Sequence, residues 1–224
     1  MAPTRFLDRR DAGRHLASAL RAFAHRSDVL VLALPRGGVP VAREVADALE
    51  APLDVLVVRK LGMPGHAELA MGAVASGDIR VFNRDVITRF GISQAAIDRV
   101  TAAERTEVAR REQLYRGDAP PLDVTDRTVL LVDDGLATGA TMSAAVAALR
   151  ELHPARVIVA VPVAARDAMH LLRQTADDCV SVLVPEALYG VGFWYDDFAQ
   201  TSDAEVRGLL ASGRPRPVAQ GLPA

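Results

Sequence analysis

Five short apolar runs recur along the chain: VLVLAL at 29–34, DVLVVRKL at 54–61, VLLV at 129–132, RVIVAVPV at 156–163 and CVSVLVP at 179–185. Their length and β-branched content predict buried strands. Between them the apolar spacing changes to that of helices. Leu16, Leu20 and Phe23 predict a helix over 8–25, and Val41, Val45 and Leu49 predict one over 39–50. Further helices are predicted over 93–116, from Gly139 through GATMSAAVAALREL, and over 165–174. Charges fill the later half of the 93–116 helix, either as a solvated face or as an arm packing on a partner subunit. AMGAVAS is predicted to pair with IRVF at 79–82. Strands alternating with helices imply an α/β fold, a doubly wound, mostly parallel sheet flanked by helices. Ligands on such sheets collect at the carboxyl ends of the strands.

The 224 residues suit one domain with embellishments, expected over 1–213, and the Pro-rich 214–224 lacks periodicity and is expected to be a disordered tail. Half of the residues are hydrophobic, yet no apolar run approaches the ~18 residues of a membrane span. The charged N-terminus does not read as a secretory signal, and Cys179, the single cysteine, excludes a disulfide framework within one chain. A cytoplasmic protein is expected. The net charge of −2 speaks against a nucleic-acid surface. No histidine pair has metal-ligand spacing.

The densest chemistry lies in VLLVDDGLATGAT, 129–141. A strand ends in two adjacent carboxylates, Asp133 and Asp134. A small-residue loop then carries Ala137, Thr138, Gly139, Ala140 and Thr141 into a helix. Loop amides and the positive helix end can hold a phosphate. The acid pair can accept hydrogen bonds from vicinal hydroxyls or hold a hard cation. No Lys-Ser/Thr follows a Gly-rich loop, and no G-x-G-x-x-G follows a strand, so neither a P-loop nor a dinucleotide fingerprint is present.

This stretch resembles the 5-phosphoribosyl 1-diphosphate (PRPP) signature of type I phosphoribosyltransferases. The resemblance implies their fold, PRPP and a base as substrates, Mg²⁺ as cofactor and a homodimer. It assigns Asp133 and Asp134 to the ribose hydroxyls and Mg²⁺, and Ala137 to Thr141 to the 5-phosphate. Arg36, Gly37 and Gly38, which follow the first strand, resemble the basic-Gly-Gly turn that contacts the diphosphate, often through a cis peptide, here Pro35–Arg36. Arg59 and Lys60 close the second strand, either as diphosphate cations or as solvated edge charges. The Gly-rich 61–78 segment, with His66 and Glu68, stands where the family places its mobile hood or loop, completed by the C-terminal segment. Tyr189, Phe193, Trp194, Tyr195 and Phe198 read either as a platform for a base, with Tyr189 and Trp194 against it and Asp196 reaching the metal, or as a packed cover of the sheet edge.

Ala137 departs from the pattern, since the hypoxanthine-guanine branch carries an acid there. An adenine-type or otherwise specialised acceptor is more compatible. Transfer to a nitrogenous base, transfer to another acceptor, and PRPP sensing without transfer all remain open at this point.

Overall fold

A computed structural model describes residues 4–213, so the 214–224 tail lies outside the described residues. The chain runs α1 (Arg9–Ala19), β1 (Val29–Ala33), α2 (Gly38–Leu49), β2 (Leu53–Val55), β3 (Val58–Met63), β4 (His66–Ala75) and β5 (Ile79–Phe82). It continues through α3 (Arg84–Arg89), α4 (Gln94–Arg116), β6 (Thr128–Val132), α5 (Ala140–Arg150), β7 (Arg156–Val163), α6 (Arg166–Leu172), β8 (Asp178–Leu183) and α7 (Asp203–Gly213).

Five strands form a parallel sheet in the order β2-β1-β6-β7-β8. Every residue of β1 and β6 is buried, as continuous apolar runs covered by helices on both faces must be. The order reverses between β1 and β6, which pair in register from Val29–Thr128 to Ala33–Val132. That reversal opens a crevice at the carboxyl ends of those two strands.

The 54–61 run does not form one strand. β2 ends at Val55, and the chain leaves the main sheet to start β3 of a separate antiparallel sheet, β3-β4-β5. The 61–78 segment is therefore built of strands rather than an open loop. Pro64 and Gly65 form the hairpin turn, Gly65 taking φ +83°, and Met63 pairs with His66. The pairing of β4 with β5 agrees with the strand expected at AMGAVAS. This small sheet packs on α4 and α5.

The long charged helix is anchored by its last residue. The Arg116 side chain is 5% exposed and donates to both carboxylate oxygens of Asp54, to Glu112 and to the Pro120 carbonyl. Removing one member of such a pair strands a buried charge. Asp54→Ala is expected to lower unfolding free energy by about 2 kcal/mol, because Glu112 and Pro120 still engage Arg116. Denaturant unfolding at neutral pH reads this directly.

Candidate functional site

Two turns meet in the crevice. After β1 the backbone enters Pro35–Arg36, a cis peptide, and Gly38 N–H bonds back to the Leu34 carbonyl at 3.1 Å. After β6 come Asp133 and Asp134. A Cβ on Gly38 would lie 2.7 Å from the Val132 carbonyl oxygen and 2.9 Å from Asp133 Cα, and a Cβ on Gly37 would fall onto the Asp134 carboxylate. Only glycine lets the two strand ends approach this closely.

The carboxylates are held by different groups. Asp133 Oδ1 accepts the Asp134 N–H at 2.8 Å, and Asp134 Oδ2 accepts from Arg9 Nε at 2.8 Å. Burial raises Asp133 well above the usual carboxylate range, and the Asp134 charge adds to the shift. Burial raises Asp134 too, opposed by Arg9. Among the described residues the other oxygen of each carboxylate accepts no hydrogen bond. Two adjacent hard oxygen donors suit a divalent cation or a diol. No three carboxylate, histidine or cysteine side chains gather as a metal-ligand group among the described residues, so a hard cation here would complete its shell with water or with oxygens of a bound ligand.

The loop that follows is open to solvent at Ala137, Thr138, Ala140 and Thr141. Gly139 takes φ +77° as the N-cap of α5, and Thr138 Oγ1 accepts the Ala140 N–H at 3.4 Å. The unpaired amides at the start of an eleven-residue helix can hold an anion. Thus Gly37 and Gly38 stand against Asp134 and Asp133 across the β1–β6 crevice, and the 137–141 loop leads from the acid pair into α5.

The remaining candidates lie in other settings. Arg36 faces Asp203 of α7 at 3.7 Å, and Asp203 accepts the Tyr115 hydroxyl at 2.6 Å. Burial, then that bond, pushes Tyr115 up to about 12, so it remains a donor. Arg59 donates to Glu104 of α4 at 2.7 Å, and Lys60 lies on β3 opposite Ala73. His66 is exposed at the start of β4.

From Val184 to Gln200 a strap crosses the carboxyl end of the sheet. Val191 occupies the space a Cβ on Gly135 would need, which seats the strap on the acid-pair loop. The Tyr195 hydroxyl donates to the Asp134 carbonyl at 2.5 Å, and burial, with the Asp134 charge, raises its pKa far above the usual tyrosine value. Tyr195 and Phe198 are thus the aromatics at the acid pair. Trp194 instead donates its indole N–H to the Leu188 carbonyl at 3.0 Å, while Tyr189 is 87% exposed. Asp196 pairs with Arg5 at 3.4 Å and donates its N–H to the Phe6 carbonyl.

Sequence reasoning missed Arg9. Its contacts lie 125 and 190 residues along the chain, at Asp134 and Ala199, and nothing in an amphipathic helix start marks one arginine among its neighbours. Tyr195 stood among the aromatics singled out, with no signal for its bond to Asp134.

The family model described as phosphoribosyl transferase domain matches residues 5–196. Two proteins of Mycobacterium tuberculosis, from strains CDC 1551 and H37Rv and provisionally named phosphoribosyl transferases, are each 44% identical over 205 residues. The match covers 92% of this chain and 46% of theirs, so the chain spans about half the length of the curated relatives it matches. The crystal structure of TT1426 from Thermus thermophilus is similar with a TM-score of 0.86 and 41% identity, covering 94% of this chain and all of that one. Among the described residues no helix is long and apolar enough to cross a membrane.

Proposed function

The chain belongs to the phosphoribosyl transferase domain family, and from that premise we propose that it transfers a phosphoribosyl group from PRPP to a nitrogenous base. The acceptor nitrogen forms a bond to the anomeric carbon while the bond to the diphosphate oxygen breaks. Diphosphate leaves with the electron pair, and the nitrogen's proton passes to solvent. The observation that carries this reading is the meeting of the Gly37–Gly38 turn with the acid pair across the β1–β6 crevice.

In this reading Asp133 and Asp134 hold the ribose hydroxyls, and the 137–141 amides with Thr138 and Thr141 hold the 5-phosphate. Arg36 and the Gly37 amide receive the diphosphate, with Arg59 and Lys60 as further candidate cations; the Gly38 N–H is already given to Leu34. The chain's contribution is positioning and charge complementarity to an oxocarbenium-like transition state. Mg²⁺, when bound through the acid pair and diphosphate oxygens, would neutralise the leaving group. Tyr195 and Val191 keep the strap over the reacting centre, where water would compete.

Incubation with PRPP, Mg²⁺ and a panel of nucleobases, with diphosphate measured, tests the proposal. Release with one or a few bases is the expected result. Binding of PRPP without release, for every base and for simple amines, overturns transfer in favour of sensing. That second reading draws on one observation: Arg36 and Arg59 already face carboxylates, Asp203 and Glu104. Release with amines alone replaces the base by another acceptor.

A further inference from the structure

Arg9 opens α1, whose N-cap Asp8 accepts the Asp11 N–H at 2.7 Å and so fixes where the helix begins. From there its guanidinium is held on three sides. Nε donates to Asp134 Oδ2 at 2.8 Å, Nη1 donates to the Ala199 carbonyl at 2.6 Å, and the ring of Phe198 lies 3.9 Å from the guanidinium carbon. The side chain is 12% exposed and that of Asp134 16%. An ion pair, a hydrogen bond to a carbonyl and a stack on an aromatic face are three demands that a planar fork meets together and an ammonium does not.

The same carboxylate oxygen lies against Gly37, where a Cβ would collide with it and stand 3.4 Å from Arg9 Nε. Asp134 Oδ2 is therefore bounded by the glycine turn and the arginine together. Its main-chain carbonyl is held as well, by the Tyr195 hydroxyl. Tyr195 belongs to the strap that also supplies Phe198 and Ala199, and its ring packs on Phe198 with centroids 4.9 Å apart. Both ends of Asp134 thus depend on one segment of chain, with Arg9 as the link. A desolvated ion pair of this kind is weak as a device for stability, so its geometry calls for another role.

We propose that Arg9 is a positioning residue for the phosphoribosyl donor, locking the Asp134 carboxylate in place and tying that placement to the strap over 195–200. The inference rests on the phosphoribosyl reading above. It separates ligands that carry a ribose diol from those that do not. Calorimetry of Arg9→Met is expected to show PRPP binding with Mg²⁺ weakened at least tenfold, with binding of inorganic phosphate, the ligand of the 137–141 loop, changed less than twofold. Arg9→Lys, which retains charge but not the fork or the stack, is expected to recover no more than part of the loss.

Unchanged PRPP affinity in Arg9→Met overturns the proposal, and so does an equal loss for both ligands, the mark of a merely structural residue. Should Arg9→Met not fold, Arg9→Lys carries the same comparison. The wild-type titration comes first and separates the two failures, because a wild-type protein that does not bind PRPP defeats the phosphoribosyl reading and this inference with it. A wild-type protein that binds, beside variants that bind equally well, defeats the inference alone.

Discussion

Asp133→Asn/Asp134→Asn is expected to lose PRPP binding at least a thousandfold, about 4 kcal/mol, and to lose the pH dependence of stability that the raised acid pair gives the wild type. The two effects share a cause. Burial raises both members above the usual carboxylate range, and the Asp134 charge adds to the shift of Asp133, so keeping both ionised costs folding free energy. A group whose folded pKa is raised binds more protons folded than unfolded between its two values, and stability falls as pH rises through that window. The wild type should lose stability across the interval from the ordinary carboxylate range up to the raised folded values, and the double variant should not. Asp28, Glu107 and Asp177 are shifted downward and contribute the opposite slope at lower pH, in both proteins alike. The difference between the two stability curves therefore isolates the pair. Calorimetric titration beside thermal unfolding over a pH series checks both halves, and unchanged PRPP affinity would sink the site assignment.

Gly38→Ala should have the next largest effect. The added methyl meets the Val132 carbonyl oxygen and Asp133 Cα, both main-chain atoms that cannot swing aside. Overpacking of this kind costs about 2 kcal/mol, which lowers the melting temperature by about 6 °C in a domain of this size. The relief has to come from separating the ends of β1 and β6, which moves the glycine turn from the acid pair. PRPP affinity is expected to fall at least a hundredfold. Gly37→Ala is a useful contrast, because its new methyl meets the tip of the Asp134 side chain instead of backbone. It should be milder in stability and still damaging to binding.

The parallel sheet and its crevice were legible because they arise from local pattern. Continuous apolar runs, the acid pair at a strand end, and two glycines after Arg36 each carry their meaning within a few residues. The hairpin was legible in principle, since Pro64-Gly65 between two paired segments is a turn signal, but the small residues around it suggested an open loop. The split of 54–61 between two sheets was not, because Leu56 and Val57 are as apolar as their neighbours and only the packing decides where the strand ends. Arg9 lay beyond reach for a different reason. Its role comes from Asp134 and from the adjacent Phe198 and Ala199, two places far apart in the chain that the fold alone brings together. Likewise the engagement of Arg36 by Asp203, and of Arg59 by Glu104, depends on how α7 and α4 dock. Motif residues are readable in a sequence; the side chains that hold them in place belong to tertiary structure.

The strap has an optical consequence. Trp194 is the chain's single tryptophan, and its indole N–H is fixed to Leu188 within the strap, one residue from the tyrosine that grips Asp134. Excitation selective for indole therefore reports on this segment alone, undiluted by any second fluorophore of its kind. The native protein carries its own reporter of what happens above the acid pair, and ligand titrations can be followed by emission without a label or a substitution.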